Sequence, residues 1–258
     1  MRFGNPSVRK ISTNAQSGAW SVEVEPATYG GIAKKTIFYA LLTVLSAILS
    51  SVVLKNAFNT GDYDTLNVLL VGVAISAIPM IVIAFVIAFV PSTAKVLGSI
   101  YCIMQGLCLG LMVYFIDSLY PGIAFAAVLG TIVVFVMTIV LNQYLEVRVS
   151  NRFFRACFIA FCSLIVVELI MLVLSLFGIV MFSQLIWLQV LISAICVFMA
   201  AVTLMWDLQN VENMVNCGVD KRYEWNVSFS LITTLIYLYI EILELLLRLA
   251  MIFGKNRD

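Results

Sequence analysis

No histidine occurs anywhere in the 258 residues. That absence removes imidazole metal ligation, the two-histidine zinc helix and every catalytic triad built on a histidine base. It also removes the side chain that ordinarily titrates near neutrality, so a pH response there falls to carboxyl groups. Charge is scarce too: Asp, Glu, Lys and Arg make up 11% of the chain, and the net charge is +1. A chain so close to neutral has no global field to gather nucleic acid. Of the six cysteines, five (Cys102, Cys108, Cys157, Cys162 and Cys196) fall in apolar runs, while Cys217 does not. None belongs to a CxxC pair, so they read as small buried hydrophobes. Neither a GxSxG elbow nor a phosphate-binding glycine loop is present. The chain reads as a non-enzyme without a cofactor.

What is abundant is apolar surface. Hydrophobic residues make up 63% of the chain, and mean hydropathy is +1.08. Soluble domains are typically about 45–50% apolar and ~25% charged, so the composition is that of a polytopic membrane protein. Seven apolar runs reach the ~20 residues a span needs. They lie near 36–54, 66–90, 96–116, 122–145, 153–177, 185–209 and 226–252. The expected fold is an all-α seven-transmembrane-helix bundle over residues 31–258. A flexible cytosolic tail is expected over residues 1–30, which lack the apolar core of a signal peptide. Alternating spans put eleven of the fifteen Lys and Arg residues on the N-terminal side, which predicts a cytosolic N-terminus. The basic "GKNRD" end leaves a re-entrant last helix as the alternative. Trp20, Trp187, Trp206 and Trp225 fall near the proposed span ends, and Pro79 is expected to kink the second span.

The charges inside the runs carry the functional question. "LIYLYIEILELLLRLA", residues 235–250, holds Glu241, Glu244 and Arg248. On a helix these three share an arc of about 60°, with Thr234 and Tyr237 beside it. A charge at the bilayer centre costs at least ~2.5–3.5 kcal/mol, so such a stripe faces protein or a water-filled cavity. Glu244 and Arg248, four apart in the favourable order, are expected to pair. Glu241 needs another partner or a proton. The sixth run offers Asp207 in "LMWDLQN", which a hairpin near "NCGVD" would bring to comparable depth. Two adjacent carboxyl groups in low dielectric share a proton, giving a pH-sensitive latch without histidine. The plainer alternative has Asp207 capping a helix end. Glu168, inside the fifth run, is a further candidate. Asp117, Asp62 and Asp64 at outer ends would either attract cations or simply be solvated.

"YIEILELLLRL" (239–249) and "WDLQ" (206–209) resemble the seventh- and sixth-helix signatures of the Bax inhibitor-1/YccA family (TMBIM superfamily). "GNPS" (4–7), "SLYPGIAFAAVLGT" (118–131) and "YEW" (223–225) resemble its bacterial branch. The resemblance implies a bundle with the last helix central, in a bacterial plasma (inner) membrane. It implies a pH-dependent Ca²⁺ leak closed by an acidic pair joining helices six and seven, matched here by Asp207 and Glu241. These two would also touch a passing Ca²⁺ as hard oxygen ligands. The chain departs from relatives that carry an acid and an arginine in the second helix, which here is uncharged from 66 to 89. It has Gln105 where many bacterial members carry an acid. An ion path would then use Glu168, Asp117, Gln105 and Tyr237. The expected partners are lipid, protons and Ca²⁺. Two other readings stand: a non-conducting protein that modulates a membrane protease or stress-response partner, and a proton-coupled small-solute transporter.

Overall fold

A computed structural model describes residues 25–144, 148–176 and 186–254. Most of the expected tail, residues 1–24, lies outside the described residues. Among the described residues seven α-helices follow one another: α1 (Tyr29–Thr60), α2 (Tyr63–Phe89), α3 (Ala94–Leu119), α4 (Ile123–Gln143), α5 (Asn151–Leu176), α6 (Ile186–Asn216) and α7 (Glu224–Gly254). Among the described residues the only β pairing is an isolated bridge between Pro26 and Asp220. Five of the helices, α1 to α4 and α6, are long and apolar enough to cross a membrane. The other two carry the charged positions Glu168 (α5) and Glu241, Glu244 and Arg248 (α7). The protein is an all-α polytopic membrane protein. α7 is one unbroken helix of 31 residues.

The helix ends follow local chemistry. Thr28 caps α1 by accepting from Gly31 N, and Gly61 closes it at φ 68 in the left-handed region that glycine tolerates. Asp62 caps α2, taking hydrogen bonds from Thr65 N (3.2 Å) and Thr65 Oγ1 (2.6 Å). Trp206, expected near a helix end, lies ten residues inside α6 because that helix continues to Asn216. There it stacks on Phe154, with ring centroids 4.4 Å apart.

The chain divides into two compact units, Met1–Leu119 with Asn210–Thr233, and Tyr120–Gln209 with Thr234–Asp258. In the first, α1 and α3 approach closely enough for backbone contact. Gly98, Cys102, Gly106 and Gly110 recur every fourth residue along α3 and are all buried. A Cβ at Gly106 would stand 2.3 Å from the Thr43 carbonyl oxygen, and one at Gly110 would stand 2.1 Å from that of Ala47. Lipid tails are as apolar as leucine, so helices in a bilayer gain by such packing rather than by burying grease. Two hydroxyls reinforce the contact: Tyr39 Oη donates to the Ala94 carbonyl at 2.7 Å, and Ser50 Oγ to that of Leu107 at 3.1 Å.

Residues 25–28, placed in the tail by the sequence reading, are held in this unit. Ala27 N donates to the Val219 carbonyl (2.8 Å) and Lys221 N to that of Glu25 (3.0 Å). Lys221 Nζ pairs with Glu25 at 2.6 Å, which lowers the Glu25 carboxyl pKa and raises that of the ammonium. Behind this bridge Ala27 packs on Met214 and Val219.

Gly106→Ala and Gly110→Ala should each cost about 1–3 kcal/mol, since the neighbour that must yield is backbone. Gly72→Ala, with nothing within 4 Å of its Cβ position, should be neutral or stabilising. Thermal unfolding in detergent compares the three. A pH effect is expected at Asp62, whose carboxyl is held below the usual range first by the Thr65 hydroxyl and then by Thr65 N. Its folded pKa is depressed, so the cap contributes above the unfolded carboxyl value and is lost as pH falls through the lowered one. Protection of the amides at the start of α2, measured as exchange relative to the intrinsic rate at each pH, should therefore fall on acidification in the native chain and stay flat in Asp62→Asn.

Candidate functional site

Helices α6 and α7 run antiparallel in the second unit, and two hydrogen bonds fix their register. Thr234 Oγ1 donates to Asp207 Oδ2 at 2.6 Å. Fourteen residues further along α7, Arg248 Nη1 donates to Ser193 Oγ, and Ser193 lies fourteen residues before Asp207. Midway, Glu241 falls opposite Ala200. Asp207 is therefore level with Thr234, and Glu241 stands two turns away, roughly 10 Å along the axis. The register thus offsets the two backbones by two turns. The turn after Asn216 is centred nearer to Asp207 than to Glu241.

Both carboxyl groups are nevertheless buried, each residue at 8% exposure. Side chains on a helix lean toward its N-terminus. In an antiparallel pair, Asp207 and Glu241 therefore lean toward each other along the seam. Thr234, Tyr237, Glu241, Glu244 and Arg248 recur at alternating spacings of three and four. That spacing keeps a polar stripe on one side of α7. Opposite Glu241 the seam is lined by Ala200, which is buried and small.

The far end of the stripe is closed by Arg248. Its Nη2 meets Glu244 Oε2 at 3.0 Å, so the expected i, i+4 pair forms. Its Nη1 also donates to the Gln189 carbonyl at 2.8 Å. The guanidinium thus ties the last turns of α7 to the first turns of α6. Nothing in the sequence pointed to Ser193 or Gln189, because their role appears only once the register is known.

The other expected site residues are spread out. Gln105 is half-buried on α3, and Asp117 is exposed twelve residues further along the same helix, about 18 Å away along the axis. Both belong to the first unit, whereas Tyr237 belongs to the second. Glu168 is carried on α5, but its side chain lies outside the described residues. Among the described residues no group of three or more acidic or cysteine side chains gathers as for a metal ion. Asp207 and Glu241 would supply fewer oxygens than the 6–8 a resident Ca²⁺ takes.

One buried acid was missed as a site by sequence reasoning. Glu224, quoted above only as part of "YEW", is fully buried in the first unit. Its carboxylate accepts from Thr28 N at 2.8 Å and from Lys35 Nζ at 2.6 Å. It fills the space beside Gly31, where a Cβ would stand 2.3 Å from Oε2. The carboxylate therefore sits at the first turn of α1, where unpaired N–H groups and the helix dipole favour an anion.

Thr234→Val keeps the shape but removes the Thr234 hydroxyl that donates to Asp207, and should cost about 1–3 kcal/mol. Thr234→Ser should restore most of that in thermal unfolding. Equal stability of Val and Ser variants would show that the bond contributes nothing.

A family model described as Bax inhibitor 1 like matches residues 5–251. No curated protein and no solved structure matches the chain. The family match runs from Asn5 through the first six of these helices and the α6–α7 seam to Met251 in the last turn of α7, so the chain belongs to the Bax inhibitor 1-like family.

Proposed function

We propose that this protein is a pH-sensitive cation leak of the Bax inhibitor-1 type, with Ca²⁺ as the favoured ion and the α6–α7 seam as its gate. The observation that carries this reading is the burial of two carboxyl groups, Asp207 and Glu241, on one antiparallel helix pair. When ionised, Asp207 accepts from Thr234 and repels Glu241. Their backbones are offset by roughly 10 Å along the axis and their side chains lean toward each other, and unit charges at about that separation interact by roughly 1.5 kcal/mol or more at an effective dielectric of 20. Adding or removing one proton then shifts a two-state helix pair by roughly tenfold. Protonation also turns an acceptor into a donor and so reorders the bonds along the stripe. Carboxylate oxygens suit brief contact with a hard cation such as Ca²⁺. The protein works in this reading without cofactor or catalysis, in a bacterial plasma membrane with its N-terminus in the cytosol, as the lysine and arginine distribution favours.

A second reading makes the protein a non-conducting modulator of a membrane partner. It is favoured by the bonding at both ends of the stripe, at Thr234 and at Arg248, which serves equally as glue between helices. Calcium entry into dye-loaded proteoliposomes separates the two. The leak reading expects flux that changes about tenfold between about pH 5 and 8, with the profile flattened in both Asp207→Asn and Glu241→Gln. Absence of flux at every pH, with the variants folded and one stable membrane partner captured, would replace it by the second reading.

A further inference from the structure

At the N-terminal ends of α1, α3 and α7 in the first unit, five cations and three acids come together in a pattern that leaves a remainder. Lys35 pairs with Glu224 and Lys221 with Glu25, each at 2.6 Å, and Arg222 lies 3.7 Å from Asp220. Lys34 and Lys95 are both exposed, and among the described residues neither lies within ion-pair distance of an acid. The Lys95 ammonium stands 5.7 Å from the centroid of Trp225. Phe38 meets the same indole edge-on at 5.8 Å. Lys34 is one helical turn before Phe38 on α1, so its Cβ is a neighbour of that ring.

Below this point the same face of α1 is bare. Phe38, Leu41 and Leu45 follow at spacings of three and four, and all are exposed. Two cations without an ion-pair partner among the described residues, an indole beside one of them and an exposed apolar strip along the next turns of α1 match one kind of molecule. We infer that Lys34 and Lys95, with Trp225 and Phe38, bind the phosphate of an anionic phospholipid whose acyl chain lies along Leu41 and Leu45. Free phosphate would use the cations and leave the strip without purpose, which is why the lipid is favoured. The lysine stems lie along apolar surface while their heads reach the phosphate, the usual arrangement at an interface. The site would also place a bound lipid next to the Glu224–Lys35 anchor through the shared Trp225 ring, 5.1 Å from the Lys35 ammonium.

Native mass spectrometry of the full chain in neutral detergent, with equal phosphatidylglycerol and phosphatidylcholine, tests this. Each juxtamembrane lysine favours an anionic lipid about fivefold, so the native protein should retain phosphatidylglycerol over phosphatidylcholine by roughly 25-fold. The double variant Lys34→Gln, Lys95→Gln should bring the two lipids close to parity. The double arginine variant and the exposed-site control Lys55→Gln should keep the preference. No preference in the native chain, or a preference that survives the double glutamine variant, would overturn the site. Displacement of the lipid by equimolar inorganic phosphate would overturn the lipid as its occupant.

Discussion

The constraint that shapes this molecule is the cost of taking a carboxylate out of water. In a medium of low dielectric an unanswered charge costs several kcal/mol, so each buried acid dictates what surrounds it. Glu224 is answered by an ammonium, a backbone N–H and a glycine that leaves room for the carboxylate. Asp207 is answered by the Thr234 hydroxyl. Arg248, the converse case, is answered by Glu244, a serine and a carbonyl. Gly31, Thr234 and Ser193 stand beside these groups, in a chain whose composition is otherwise that of a hydrocarbon-facing protein.

The two units solve helix association differently. In the first, α1 and α3 touch through glycine and short hydroxyls, a contact with little freedom to slide because backbone meets backbone. In the second, α6 and α7 meet along a stripe of groups that can exchange hydrogen bonds. The division between the units passes through α6 after Gln209 and through α7 before Thr234. The Asp207–Thr234 bond therefore lies at the edge of its unit.

Much of this was legible in the sequence. All seven helices were visible as apolar runs, because a span has a length requirement that few other features satisfy. The Glu244–Arg248 pair was visible because helical spacing alone fixes it. The α1–α3 contact was passed over: "MQGLCLG" was read for Gln105, whereas Gly106 and Gly110 carry the packing. Glu224 was passed over because it lies at a helix start, where an acid looks solvated. The depth of Asp207 against Glu241 needed a register, and the register is set by two long-range bonds that no local pattern encodes.

The central claim is that the α6–α7 seam holds a proton that exchanges near neutrality. Infrared difference spectroscopy of the carboxyl stretch, titrated from about pH 8 to 5 in lipid, reads that proton directly. The account predicts a buried carboxyl band that grows on acidification within this range, is removed or displaced in Asp207→Asn, and changes its midpoint in Glu241→Gln. A native protein with no titrating carboxyl band in the range, or a band indifferent to both substitutions, would contradict it.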